Sequence, residues 1–508
     1  MQTNTASQDG PIEHLVILGG GTAGWMAAAA IGRVFRNSAM KITVIESSTI
    51  GTVGVGEATI PEIYNFNKSL GVDEREFLKF TQGTFKLGIE FVGWNNPGAS
   101  YIHPFGRYGT ALGSVPFFHY WQRLHNLNLA KSLPDYCFCI EACKQNKLSR
   151  PVNVPNSPLS EIDYAYHFDA GRYAQFLQRY SAACGVKHVD AKVLAVGRNK
   201  ENGYIQSLAL DTGDTIEADF FIDCTGFKGL LIEETLRSGY EDWSHYLPCD
   251  SAMAVASPRL DPLPPYTRAT AREAGWQWRI PLQHRTGNGY VFCSHFISDE
   301  KVRETLLNNV AGGATSEPRI IRFKTGVRRK QWNKNCVALG LASGFLEPLE
   351  STSIHLIYEA IANFIGLFPT KVVKRELVEK YNQLQARSYM TIRDLLILHY
   401  WANNREGEFW DYCRNMDIPD RLRHKVDLYQ NAGRLFRQDN ELFGDTSWIS
   451  VLVGQGVKTS HYNSIADTMP LEELKQKFEQ IYQIIQNTSR QLPSHSEYIE
   501  KYCKAENY

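Results

Sequence analysis

The segment that most constrains this chain is Gly19-Gly-Gly21-Thr-Ala-Gly24. A short apolar run at residues 15–18 precedes it, and residues 25–34 follow, rich in alanine, the best helix former. Residues 41–45 read as the next strand, closing on Glu46, 22 residues after Gly24. A lone GxGxxG says little. Set between strand and helix, and answered by an acid at the end of the next strand, it describes a β-α-β dinucleotide-binding unit. Gly19 permits the tight turn, Gly21 lets the backbone approach a pyrophosphate, and Gly24 lets helix and strand pack closely. Thr22 and Ala23 open the helix, whose free N–H groups and partial positive charge suit phosphate. Glu46 is placed to accept from ribose hydroxyls.

FAD is favoured over NAD by a later segment. Phe220-Phe-Ile-Asp223-Cys-Thr-Gly226 reads as a strand ending in small residues, as in the second dinucleotide-contacting segment of many flavoproteins. A second GxGxxG for a nicotinamide nucleotide is not seen, so reduced flavin is expected from a separate reductase.

Lys+Arg and Asp+Glu both number 54, which leaves no electrostatic footprint for nucleic acid or an anionic membrane. The first ten residues lack the apolar core and basic flank of a signal peptide, and no apolar run approaches the roughly 18 residues of a membrane span. The ten cysteines are scattered, and the cluster Cys137, Cys139, Cys143 has no histidine at zinc-like spacing. They read as buried thiols in a reducing cytoplasm, with no metal. The expected partner is a small aromatic molecule, and the chain a monomer or homodimer.

Along the rest of the chain, residues 168–183 read as an amphipathic helix. Strands are expected at 192–196, 205–210 and 219–222, and 276–281 and 289–294 read as strands of a second sheet. Beyond about residue 368 the pattern turns helical. Pro470 suits a first helical turn, and Leu471, Leu474, Phe478, Ile481 and Ile485 recur at helical spacing. The fold class is α/β: a flavin-monooxygenase-like, GxGxxG Rossmann-type FAD module interleaved with a β-sheet substrate layer, plus a helical C-terminal part. The expected division is a disordered tail over 1–11, the interleaved module over 12–368 and the helical part over 369–508.

Three further motifs resemble the flavin-dependent tryptophan halogenase family. They are Gly54-Val-Gly-Glu-Ala-Thr-Ile-Pro61, Trp276-Gln-Trp278-Arg-Ile-Pro281 (the family's W-x-W-x-I-P), and Gly344-Phe-Leu-Glu-Pro-Leu-Glu350-Ser-Thr352. The resemblance runs from about His14 to about Asn382 and then fades. It implies that reduced FAD, oxygen and a chloride or bromide ion yield hypohalous acid, which halogenates an aromatic, indole-type ring. That species is indiscriminate, so the protein must keep it from bulk water and place it beside one carbon.

By the same resemblance, Lys86 in Thr84-Phe-Lys86-Leu-Gly-Ile-Glu-Phe matches the family's lysine. Its ammonium could hold hypohalous acid by a hydrogen bond, or its amine could form a haloamine. Glu350 matches the family's carboxylate, which stabilises and deprotonates the cationic ring intermediate. Glu347 is its rival within the motif. Gly344 and Gly226 belong to flavin-contacting segments, and the halide is expected on backbone N–H groups at Thr352 and Ser353. His103 and Phe105 match the stacking segment of the substrate pocket. Many relatives have glycine where Ser353 stands. If that position needs φ > 0, serine costs about 1 kcal/mol and the halide cradle is reshaped, which would favour bromide.

In tryptophan-specific relatives a C-terminal segment around F-W-L-N-G-N-Y-Y grips the amino-acid head group. The comparable stretch here runs from Glu441 to Gly454, keeping Trp448 but no paired tyrosines. Indoles without the head group are therefore the expected substrates. A flavin hydroxylase of the same fold and a non-catalytic flavin-binding protein are the alternative readings.

Overall fold

A computed structural model describes residues 9–49, 56–155, 157–438 and 441–506. Residues 1–8 of the expected tail, and Gly54 and Val55 of the first family motif, lie outside the described residues. Residues 9 and 10 are tied down: Asp9 pairs with Lys374 at 3.0 Å, and the Lys371 amide donates to the Gly10 carbonyl at 3.0 Å.

The β-α-β unit is built as read. His14–Leu18 and Lys41–Glu46 pair in parallel, joined by the helix Thr22–Val34. The first of these strands also pairs in parallel with Phe220–Asp223, at the centre of a six-stranded sheet. These strands are nearly all apolar because both faces are covered, as parallel sheets require. The helix buries its alanines, whose small side chains let it lie close to the sheet and to the helix Ala170–Ala183.

That second helix starts later than its periodicity suggests. Ala165–Asp169 is a strand, so Phe168 belongs to a sheet, and the Asp169 side chain caps the helix by accepting from the Arg172 amide at 3.1 Å. Pro470 likewise stands just outside its helix, Leu471–Arg490, instead of in the first turn.

The second sheet has seven strands. Gly275–Pro281 pairs antiparallel with Arg285–Phe292 and with Thr267–Arg272, which runs parallel to Gly88–Val92, and Ser100–Pro104 closes the edge. The strand Arg285–Phe292 begins earlier than expected, because its run Arg-Thr-Gly-Asn-Gly looks like a turn. A Cβ on Gly289 would sit 2.1 Å from the Trp278 ring, so this glycine is where the indole lies flat on the neighbouring strand.

A three-stranded sheet, Gly56–Ala58, Ala165–Asp169 and Thr84–Lys86, abuts the large one. The chain leaves the small sheet at Lys86 and enters the large sheet at Gly88. Past Glu350 come helices, among them Ser353–Gly366, Arg375–Trp401 and Asp445–Gly454. The last of these packs on Ser100–Pro104, where Gly454 gives room to the Tyr101 ring.

Candidate active site

Two constellations come together. The first surrounds the glycine turn. Gly19 has φ of 110°, and a Cβ there would meet the Cys224 carbonyl oxygen at 2.3 Å. A Cβ on Gly24 would lie 1.8 Å from the Gly19 oxygen, and one on Gly20 would lie 1.6 Å from Glu46 Oε2. The Glu46 carboxylate therefore folds back over the turn, held by His188 Nε2 at 2.9 Å. Gly21 differs: nothing lies within 4 Å of its Cβ direction, and as N-cap it offers no side chain to the first amides of the helix. An open face of uncapped N–H groups is what a pyrophosphate would occupy.

Gly226, in the left-handed region at φ of 69°, also borders open space. Its turn is fixed by the buried Asp223, which accepts from Thr225, Leu231 and Ile232 amides. Ala23, by contrast, faces Gly340, where a Cβ would approach it to 2.8 Å. Gly344 is explained by packing against the Gly326 carbonyl and Tyr389. Sequence reading passed over Gly20 and Gly340, although both sit in glycine-containing turns. The residues around the turn fit an FAD.

The second constellation centres on Lys86, which is completely buried. Its Nζ donates to the Thr59 carbonyl at 2.9 Å and to Ser351 Oγ at 2.7 Å, and lies 5.1 Å from the Phe105 ring centroid. Burial lowers its pKa to about 7, against the opposing pull of Glu350. Glu350 is 1% exposed. Burial alone would raise its carboxyl, but two imidazoles outweigh that and hold it at about 2. His103 Nδ1 lies 3.0 and 2.9 Å from its two oxygens, and His399 Nε2 lies 2.7 Å from Oε1.

Glu347 is also fully buried, in other company. Its Oε2 accepts from Trp276 Nε1 at 2.9 Å and from the Tyr400 hydroxyl at 2.5 Å, while Oε1 has no partner. Burial pushes its carboxyl up to about 7. The first tryptophan of the W-x-W-x-I-P strand thus holds this acid.

The positive φ falls at Ser351 (60°), not at Ser353, which opens the helix Ser353–Gly366. The premise of a halide cradle reshaped at Ser353 is therefore removed. Thr352 is the N-cap, and its side chain does not cap the helix, so the backbone amides that follow are available to an anion.

Trp448 is 3% exposed, with Lys425 Nζ 4.2 Å from its ring centroid, and its helix packs on the strand that carries His103. Phe443, from the same C-terminal segment, stands 6.1 Å from the His103 ring. Residues of the site that went unread in the sequence include Thr59, His399, Tyr400 and Tyr101, whose hydroxyl lies 2.9 Å from His399 Nδ1. Thr59 falls in the Gly54–Pro61 motif, and Tyr101 two places before His103, so both were within reach of the motifs already noted.

The family profile described as tryptophan halogenase matches residues 14–471. The resemblance thus extends well past Asn382, where sequence reading let it fade. Among solved structures, the flavin-dependent halogenase Xcc4156 of Xanthomonas campestris superposes with a TM-score of 0.94 at 44% identity, covering 98% of this chain and 100% of that one. BrvH, a flavin-dependent halogenase from Brevundimonas sp. BAL3, gives 0.93 at 42% identity, covering 96% and 99%. Tryptophan 7-halogenase RebH of Lentzea aerocolonigenes is 32% identical, over 97% of this chain and 99% of its own.

Proposed function

The chain belongs to the tryptophan halogenase family and is a flavin-dependent halogenase, and on that premise we propose that it halogenates a neutral indole through Lys86 and Glu350. The FAD would lie along the open face at Gly21 and Gly226, with Glu46 beside its ribose. When bound and reduced by a separate reductase, it supplies with oxygen and a chloride or bromide ion the hypohalous acid the reaction consumes. Amides after Thr352 would hold the halide.

The observation that carries the reading is the buried Lys86, poised beside the ionised Glu350. Two of its N–H groups are committed to Thr59 and Ser351. As an ammonium it keeps a third N–H for hypohalous acid; as an amine it keeps a lone pair that can take the halogen. With a pKa of about 7, both forms are populated near neutrality. Attack by a ring carbon on the electrophilic halogen breaks the halogen–oxygen bond, releasing hydroxide that the Lys86 ammonium protonates to water (or the halogen–nitrogen bond of a protonated haloamine, freeing the Lys86 amine), and leaves a cationic ring. Glu350, ionised at working pH, offsets that charge and takes the ring proton, restoring aromaticity. His103 and Phe105 would hold the indole by its faces.

Charge pairing in the C-terminal segment supports a substrate without the amino-acid head group. Lys425 bonds Glu441 at 2.7 Å and covers Trp448, Arg421 also bonds Glu441, and Arg437 Nε donates to the Glu441 carbonyl at 2.7 Å. These groups satisfy one another, and unpairing them to grip an ammonium and a carboxylate would be costly. Ten free cysteines, eight of them buried, fit a cytoplasmic enzyme.

The test is an assay with a flavin reductase, each halide in turn, and indole against free tryptophan. Indole should give the higher kcat/KM, and Lys86→Ala should abolish product while reduced flavin still reoxidises. A tenfold preference for tryptophan, about 1.4 kcal/mol, would overturn the substrate assignment. Halogenation by Lys86→Ala at the parent rate would overturn the role of the lysine.

A further inference from the structure

We infer that His399 is a positioning residue for Glu350, and that Tyr101 supports the tautomer in which it does so by satisfying the second ring nitrogen. This rests on the reading of Glu350 given above.

His399 stands near the end of the helix Arg375–Trp401, remote in sequence from every motif, and is completely buried. Its ring is gripped on both counts that matter. Stacking fixes its plane: Phe91 lies 4.4 Å away at 24°, and Trp94 meets it edge-on at 5.7 Å. Hydrogen bonds fix its two nitrogens: Nε2 faces Glu350 Oε1 at 2.7 Å, and Nδ1 faces the Tyr101 hydroxyl at 2.9 Å.

The tautomer follows from what each partner can do. An ionised carboxylate only accepts, so Nε2 must carry the proton. Nδ1 is then bare and accepts from Tyr101, whose phenol burial and the Glu350 charge hold in the protonated form. Tyr101 is itself locked, because its ring fills the space left by the missing side chain of Gly454, where a Cβ would lie 2.3 Å away. Without the tyrosine hydroxyl, the Nδ1 lone pair would be left buried and unpaired, which weakens the tautomer that donates to Glu350.

The arrangement divides the carboxylate. Oε1 is taken from behind by His399, whereas Oε2 has only His103. Oε2 is therefore the oxygen with a lone pair left for a ring proton. The groups that face Glu350 are His103 and Tyr101 from the strand Ser100–Pro104, His399 from its helix, and Lys86 from Thr84–Lys86. Burial lowers the His399 pKa and Glu350 opposes that. Of these groups, His399 is the donor that can be removed without touching the lysine or the face of His103.

Four variants of the full enzyme test this: His399→Phe, His399→Gln, Tyr101→Phe and Glu350→Gln, each measured as kcat and KM against pH. His399→Phe should lose about tenfold or more in kcat at neutral pH with KM for indole unchanged. It should also acquire an acid limb above about pH 5, because a buried carboxyl deprived of its donor protonates more readily. His399→Gln, whose amide can replace the Nε2 donor, should restore most of kcat and remove the limb. Tyr101→Phe, which deletes a single oxygen, should fall between the two. A kcat loss equal at every pH and not rescued by glutamine would overturn the inference, as would parental activity in Tyr101→Phe. Glu350→Gln separates the two levels: if it stays active, the reading of Glu350 fails; if it is inactive while His399→Phe behaves as the parent, only the inference fails.

Discussion

Glu347 and Glu350 stand three residues apart, both buried, yet one carboxyl is pushed up to about 7 and the other held at about 2. The difference is entirely in their partners: an indole and a phenol for Glu347, two imidazoles for Glu350. Environments that drive a pair of acids apart divide their roles. Glu350→Gln should therefore cut turnover by roughly 100-fold or more, the scale of losing a positioned base and charge stabiliser. Glu347→Gln should cost much less in kcat; the reverse order would exchange the two assignments. Lys86 carries a stability consequence of its own. Between about pH 7 and its ordinary 10.5 the unfolded chain binds a proton that the folded chain does not, so stability rises with pH across that window. Below about pH 7 the cost of burying the charge is fully present. Lys86→Met should thus melt higher than the parent at pH 6, by an amount that shrinks by pH 9, as differential scanning calorimetry would show. Lys86 and Glu350 were legible only because their neighbours match known motifs. His399 was not, since a single histidine in Leu-Ile-Leu-His-Tyr-Trp looks like any buried helix residue.

Elements were legible where local pattern and tertiary demand agree. The β-α-β unit and the tryptophan strand are such cases, because each strand's residues are chosen by the layer it must enter. They were misjudged where a local signal serves a distant contact. The run Arg-Thr-Gly-Asn-Gly at the start of Arg285–Phe292 looks like a turn, but Gly289 makes room for Trp278, and Phe168 fits a helical stripe but pairs in the small sheet. Gly88 is the clearest test of such service. A Cβ there would lie 2.5 Å from the His103 carbonyl oxygen, so this glycine sets how closely the strand behind Lys86 approaches the strand bearing His103. Gly88→Ala should destabilise by about 1–3 kcal/mol and lower kcat, because backbone must shift to admit the methyl group. Parental values for both melting temperature and kcat would show that the sheet yields more freely than this geometry allows.

At the scale of the molecule, the flavin turn and the reacting groups belong to one continuous structure, and the C-terminal helices are part of it. Arg375–Trp401 supplies one donor to each of Glu350 and Glu347, and Asp445–Gly454 backs the strand of His103. The family match likewise continues to residue 471, through helices that the sequence pattern reads only as a helical C-terminal part. The nucleotide-binding glycines are seen once. NADH or NADPH, without a reductase, should therefore leave the FAD absorbance unchanged under anaerobic conditions, and rapid bleaching would refute this. The bonds of the proposed reacting centre also join distant parts of the chain: Lys86 to Ser351 spans 265 residues, His103 to Glu350 spans 247, and Tyr101 to His399 spans 298. Contacts of such separation are slow to form. A chain cut short before Glu350 and Ser351 can assemble the glycine turn's first strands but not the lysine's surroundings. The proposed chemistry is thus withheld until the chain has been made past Ser351, and the histidine that faces Glu350 arrives later still.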